Sequence, residues 1–328
     1  MSRSRTIPGM SLVENELAKV EDLLQAEARS DVRVVLRVAG HILGSGGKRF
    51  RPLLTLLSAR MLGFKRKNEL YAYAAAMEFA HTSTLLHDDV IDEADVRRGR
   101  RSANREWGNA ASIIVGDYVL FKSFSLVIRG GNMEVIKLVA DISVEMAEGE
   151  AYQLALKQRV DLSEPDYERI IKSKTALLIQ GACQVPALAA GASRKKVNSL
   201  KRFGYHLGMA FQVVDDVLDY TATGKSWGKQ LGKDFLEGKS TLPVILAYKN
   251  ASSAQRKRIK ELFEKKQRNR KEFEELLHII SSQNGIQKAM DRARDYVSKA
   301  RKELDTFPDN PARKALGELA EYVVQRAE

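Results

Sequence analysis

Cysteine is almost missing from this chain: Cys183 is the only one among 328 residues. No internal disulfide can form, and a reducing cytoplasmic compartment is the expectation. Histidine is scarce too, at five residues, and the two beside an acidic cluster, His81 and His87, lack Cys or His partners at zinc spacing. That argues against a zinc centre, and a metal-dependent phosphohydrolase would need further histidines placed as ligands. No Ser-His or Cys-His arrangement marks a protein nucleophile. Apolar stretches such as Leu177 to Ala192 are interrupted by Gln180, Gln184 and Pro186, so no run is expected to span a bilayer. The opening MSRSRTIPGMSLVENEL lacks the apolar segment of a secretion signal. Linkers rich in Pro and Ser are absent, which favours one domain over residues 1–328 with residues 1–10 as a flexible lead. Alternating strand patterns with hairpin turns are absent as well, leaving an all-α chain as the expectation.

What is present is apolar and basic. Hydrophobic residues make up 44% of the chain, ample for a large core, and the formal net charge of +12 points to anionic partners. Much of the basic excess lies in RKRIKELFEKKQRNRK (Arg256 to Lys271), where Ile259, Leu262 and Phe263 keep helical spacing. A solvated helix face is the leading reading there, with membrane contact the lesser one. No motif with base-stacking aromatics supports nucleic-acid binding. Helical patterns cover Leu12 to Ala28 behind a Ser11/Glu14 capping box, a second segment to Leu43 capped by Ser30 or Asp31, Asn68 to Asp92, Ala110 to Val127, Met133 to Lys157, Asp166 to Ala190 and Val197 to Tyr220. Helices this long and apolar need neighbours on most sides, as a single large bundle provides.

Two of these helices end in acid. LLHDDVIDEADVRRGR (Leu85 to Arg100) sets Asp88, Asp89 and Asp92 within one turn, and FQVVDDVLDY repeats the spacing with Asp215, Asp216 and Asp219. Acids four apart share a helix face and repel unless a cation lies between them. One such turn is as readily an exposed acidic patch; two copies, each followed by a basic glycine-containing loop, favour a divalent metal. Mg²⁺ takes a few carboxylates, several waters and the oxygens of a bound diphosphate. Lys48, Arg51 and Arg98 can surround a diphosphate that needs no metal, and Arg97, Lys174, Lys229 and Lys239 can complete the charge around a metal-bound one. Taken singly, each of these bases is more often a solvated surface charge.

Together the residues resemble the trans-isoprenyl diphosphate synthases, or polyprenyl synthetases. GGKRFRP, HTSTLLHDDVIDEADVRRG, GNAASIIVGDY, Lys174-Thr175, FQVVDDVLD and GKDFLEGKSTLP occur in the family's order from about Leu12 to the C-terminus. The resemblance implies the isoprenoid synthase bundle with a central apolar cavity. It implies an allylic diphosphate held through Mg²⁺, about three ions per site, by Asp88, Asp89, Asp92, Asp215, Asp216 and Asp219. Arg97, Lys174 and Lys229 or Lys239 match the assisting positions, Lys225 and Lys233 being their competitors in TATGKSWGKQLGKDFLEGK. Isopentenyl diphosphate would be bound by Lys48, Arg51, His81 and Arg98, with Thr175 and Gln212 beside the reacting carbons. A homodimer is also implied.

Thr84 and Ser83 lie four and five residues before Asp88, about 5.4 Å deeper along the helix. In short-chain members of the family an aromatic there blocks the growing tail; here both are small. The same face continues through Ala80, Met77, Ala76 and Tyr73, either as plain helix packing or as the lining of a long tunnel whose floor is Met77, Tyr73, Phe121 or Phe124. The wording most resembles octaprenyl synthases that make quinone side chains, with peripheral membrane contact through the product. The competing readings are a farnesyl or geranylgeranyl synthase, a class I terpene cyclase, which needs no second diphosphate site, and a regulatory subunit of a heteromeric synthase, whose acidic turns are usually degraded.

Overall fold

The computed structural model describes residues 7–157, 159–221, 231–265 and 267–327. The fold is all-α, and its described residues form two compact units through which the chain passes repeatedly. The first contains the described residues up to Ser143, Leu178–Gly204 and Glu303–Leu319; the second contains the described parts of Val144–Leu177, Tyr205–Lys302 and Ala320–Glu328.

In the first unit, α1 (Glu14–Glu27), α2 (Arg33–Gly44), α3 (Phe50–Leu62) and α4 (Lys67–Ile91) follow in order. The expected Ser11/Glu14 capping box does not form: Met10–Val13 is a 3₁₀ turn, and α1 starts without a side-chain cap. Tertiary contact sets this start. Gly9 is left-handed (φ 77°), and a Cβ there would lie 2.8 Å from Leu57 and 2.9 Å from Ala315. α2 likewise lacks a side-chain cap, although Ser30 Oγ accepts from the Val32 amide.

α4 is buried without a break from Tyr73 to Ala80, and α6 (Asn109–Arg129), which follows the short α5 (Ala103–Trp107), packs along it. Small residues permit the close approach. Ser112 Oγ donates to Leu86 O, Ser123 Oγ donates to Ala76 O, and Cβ atoms at Gly116 and Gly130 would collide with His87 and Tyr73. On its other side α6 exposes Ile114, Phe121 and Ile128, seven residues apart. Contrary to the reading that no run is long enough, α6 is long and apolar enough by length and composition to cross a membrane. It interposes only Asp117 and Lys122 before Arg129.

A second departure lies between α4 and α5, where β1 (Val96–Arg97) and β2 (Arg100–Arg101) pair antiparallel. Arg98 (φ 52°) and Gly99 (φ 79°) are its turn residues, the two positive φ angles that a tight hairpin of matching twist requires. Strands of two residues carry no periodicity, so the sequence does not announce them.

α7 (Met133–Ala155) passes into the second unit, which continues with α8 (Glu164–Ile171). Here Ser163 and Asp166 form a complete capping box, two residues ahead of the expected start. The single helix expected to Ala190 is broken by a π turn at Lys172–Ala176 before α9 (Leu177–Ala189). α10 (Arg194–Thr221) returns to this unit, followed by α11 (Lys233–Leu236), α12 (Leu242–Asn250), α13 (Ser253–Glu264), α14 (Arg270–Ser282), α15 (Gly285–Glu303) and α16 (Pro311–Gln325). Ile259, Leu262 and Phe263 of the basic stretch are buried with Phe235, Phe273 and Leu276, so α13 contributes its apolar stripe to a core and leaves its charges outward.

Candidate active site

Asp88 and Asp89 occupy the last turn of α4, and Asp92 is its C-cap. The C-terminal end of a helix carries partial negative charge and favours cations, so three acids there are electrostatically strained until a cation arrives. One is already supplied: Arg97 Nε donates to Asp89 Oδ1 at 2.6 Å, and Asp89 is wholly buried. Asp88 and Asp92 are only partly buried. The hairpin separates the two neighbouring arginines. Arg97 turns to the acidic turn, while Arg98 donates to the carbonyl of Gly46 in the Gly44–Arg51 loop.

That loop carries the other predicted bases of this unit. Arg51 lies near Arg98 and the buried Glu78, its Nε is buried without a hydrogen-bond partner, and burial pulls its pKa down to about 10. His81 is held well below the ordinary imidazole value by burial and then by Arg51, Arg98, Arg97 and Arg49, so it is neutral at pH 7. Lys48 is exposed. The structure therefore brings Arg51, His81 and Arg98 into one cationic neighbourhood, as expected of residues that receive an anion.

In the second unit Asp215, Asp216 and Asp219 stand near the C-terminal end of α10. Asp216 is buried; it accepts Tyr167 OH at 2.6 Å and Gln212 Nε2 at 2.8 Å. Burial, reinforced by Asp215 and Asp219, raises its pKa to about 7 despite those two bonds. Asp215 is exposed and accepts Arg326 Nη2 at 2.9 Å. Asp219 accepts the backbone amides of Lys233 and Asp234, and burial raises its pKa.

Gln212 continues the chain of bonds: its Oε1 accepts Thr175 Oγ1 at 2.6 Å. Thr175 lies within the π turn, an irregularity concentrated at functional positions because it frees and re-aims backbone groups. Gly149 and Gly208 make room for that turn. A Cβ at the first would meet Ser173 Cβ at 2.1 Å, and one at the second would meet Ala176 Cα at 2.5 Å.

Lys174 donates to Glu150 Oε1 at 2.6 Å, and Lys239 pairs with Glu237 Oε2 at 2.7 Å. Lys233 pairs with Glu237 as well. Lys225 and Lys229 lie outside the described residues.

Among the described residues no three His, Cys, Asp or Glu side chains are gathered closely enough to enclose a cation by themselves. The donor chemistry nevertheless suits Mg²⁺, which seldom uses an all-protein cage: each turn offers carboxylate oxygens and leaves coordination positions for water and substrate.

Along α4, Ser83, Ala80, Met77, Ala76 and Tyr73 are buried, and Thr84 is partly so with its hydroxyl donating to His81 O. Tyr73 OH donates to Gly130 O at 3.2 Å. Phe121, weighed as a floor, is 66% exposed and belongs to the outer face of α6, whereas Phe124 is half-buried.

Sequence reasoning missed Arg49, Glu78, Glu150, Tyr167 and Glu237. Glu78 is readable as the residue one turn before His81 on its helix face, and Tyr167 as the residue two turns before Lys174. Glu237 is readable from its i,i+4 spacing to Lys233, whereas Glu150, 24 positions from Lys174, has no local signal.

Comparison with known proteins matches the polyprenyl synthetase family model over residues 32–280. The chain is 39% identical over 315 residues to octaprenyl diphosphate synthase of Haemophilus influenzae, covering 96% of this chain and 95% of that one. All-trans-nonaprenyl-diphosphate synthase (geranyl-diphosphate specific) of Rhodobacter capsulatus is 34% identical, covering 96% of each. Among solved structures, polyprenyl synthase from Caulobacter crescentus complexed with calcium and isoprenyl diphosphate superposes with a TM-score of 0.93 at 36% identity, covering 99% of this chain and 100% of that one.

Proposed function

From the premise that this chain belongs to the polyprenyl synthetase family and is a prenyltransferase, we propose that it condenses isopentenyl diphosphate head-to-tail with an allylic diphosphate, Mg²⁺-dependently, to a long all-trans product of about eight isoprene units. The observation that carries this reading is the repeated acidic turn, present intact at the C-terminal ends of α4 and α10, with a separate cationic loop beside the first. A terpene cyclase has no use for the second anion site. A regulatory subunit has none for two intact acidic turns. The octaprenyl and nonaprenyl relatives support the long chain.

Asp88, Asp89, Asp92, Asp215, Asp216 and Asp219 would hold Mg²⁺, and Arg97, Lys174, Lys239 and Lys229 would take the remaining oxygens of the allylic diphosphate. Bound Mg²⁺ supplies positive charge against the charge that develops on the departing diphosphate. Lys174 and Lys239 would add to that stabilisation by exchanging Glu150 and Glu237 for phosphate oxygens. Arg51, His81, Arg98 and Lys48 hold isopentenyl diphosphate, which needs no metal. The allylic carbon–oxygen bond breaks, the isopentenyl double bond attacks the resulting cation, and the released diphosphate takes the proton lost as the new double bond forms. Thr175 and Gln212, tied to one another, present oxygens to the cation. Exclusion of water is essential, since water would capture it.

One polyprenyl synthetase domain fits the family match, which runs through both compact units. The exposed Ile114, Phe121 and Ile128 suit burial in a homodimer. A cytoplasmic location accords with a lone buried thiol, Cys183.

The test is product chromatography after incubating the purified chain with isopentenyl diphosphate, farnesyl diphosphate and Mg²⁺. An octaprenyl product is expected. Farnesyl or geranylgeranyl end points would defeat the long-chain assignment, and no condensation would defeat the reading as a whole.

A further inference from the structure

Arg49 stands inside GGKRFRP, yet its guanidinium is committed to carboxylates and a carbonyl of the protein itself. It is the N-cap of α3 in the left-handed region (φ 44°, ψ 43°), a conformation uncommon for a residue with a side chain. The side chain accounts for it. Its Nε and Nη2 grip Glu21 of α1 as a fork at 2.7 and 3.0 Å, Nη1 donates to Glu78 of α4 at 3.1 Å, and Nη2 also reaches the carbonyl of Leu43 in α2 at 3.0 Å. One guanidinium thus ties three helices to the residue that starts a fourth. Glu78 is almost fully buried, and its charge also acts on Arg51 and Arg98.

We propose that Arg49 and Glu78 are positioning residues for the isopentenyl diphosphate site: the pair fixes the Gly44–Arg51 backbone so that Lys48 and Arg51 are presented before substrate arrives. Neither touches the diphosphate. Arg49 spends its donors on Glu21, Glu78 and Leu43, holding a strained turn. Glu78 is a buried carboxylate whose charge acts on Arg49, Arg51 and Arg98, and it keeps those guanidiniums converged when no phosphate is present to do so. A planar fork is required, because lysine can supply the charge but not three fixed directions at once.

This inference rests on the proposed assignment of isopentenyl diphosphate to this loop, and the experiment separates the two. Binding of isopentenyl diphosphate to the full-length protein is measured by calorimetry without metal, and KM for each substrate is measured in the complete assay. The variants are Arg49→Lys, Glu78→Gln and, as a milder change at the part-exposed end, Glu21→Gln. Circular dichroism confirms that each is folded; if a buried variant does not fold, Glu21→Gln and the paired Arg49→Met/Glu78→Gln variant carry the test. The expected result is a rise of about 10- to 100-fold in KM for isopentenyl diphosphate, with KM for the allylic diphosphate unchanged and weaker calorimetric binding in step. Folded variants that bind isopentenyl diphosphate like wild type would overturn the positioning role. So would equal loss on both substrates, or full recovery in the paired variant, which would reduce the pair to charge neutralisation. A wild-type protein that binds no isopentenyl diphosphate would instead overturn the assignment of the site, before the pair is in question.

Discussion

The two acidic turns match in spelling but not in the standing of their residues. Asp89 and Asp216, the second acid of each, are buried and already engaged, by Arg97 in one case and by Tyr167 and Gln212 in the other, whereas Asp88 is part-exposed and Asp215 exposed. The inner acids are therefore held in one orientation away from solvent, while the outer ones reach it, Asp215 as the acceptor of Arg326. His81 allows a prediction at the same scale. Its folded pKa lies well below the unfolded value of about 6.5. At pH 7.5 both states are neutral at this side chain. As pH falls through about 6.5 the unfolded chain takes up a proton that the folded one refuses, so stability is lost on acidification until the folded value is reached. The thermal midpoint of wild type should fall more steeply from pH 7.5 to 5 than that of His81→Gln. Parallel curves would show that His81 titrates as an ordinary imidazole.

Helix α4 joins the acidic turn to the small-residue stripe, and its register decides what each residue can do. Ser83 is buried one turn and a fraction before Asp88, while Ala76 on the same stripe is used for contact with Ser123 of α6. The upper stripe is thus the part suited to product length, and the lower part is already helix packing. Ser83→Phe should shift the product from about octaprenyl to farnesyl or geranylgeranyl, read by chromatography of the hydrolysed product, with a stability cost of about 1–3 kcal/mol for the added bulk. An unchanged product length would move the determinant off this helix face. The π turn at Lys172–Ala176 belongs to this scale too: helical spacing runs straight through it from Asp166 to Ala190, and only the packing against Gly149 and Gly208 displays the irregularity.

At the scale of the whole molecule, the outer face of α6 departs from a polar surface, with Ile114, Phe121 and Ile128 each more than half exposed. Three large apolar side chains aligned at seven-residue spacing are costly to leave in water at roughly 1.5–3 kcal/mol per side chain for full burial. If this face forms the proposed homodimer, Phe121→Lys combined with Ile114→Lys should leave a monomer in sedimentation velocity where wild type is a dimer. A wild-type monomer, or a dimer indifferent to both charges, would place the interface elsewhere or remove it.

By itself the sequence determined the all-α class and the two acidic turns, because apolar periodicity and the repeat of one acidic spacing carry these, while GGKRFRP and the Lys174-Thr175 pair were legible through the family resemblance. It assigned Arg97 and Arg98 to different anions but could not supply the ribbon that parts them, which depends on Gly99 and two-residue strands with no periodic signal. Nor could it pair Lys174 with Glu150, Tyr167 with Asp216 or Arg49 with Glu78, residues 24, 49 and 29 positions apart. Those choices belong to the tertiary structure, because a buried charge or hydroxyl must find a partner wherever packing brings one, and sequence distance has no part in that requirement.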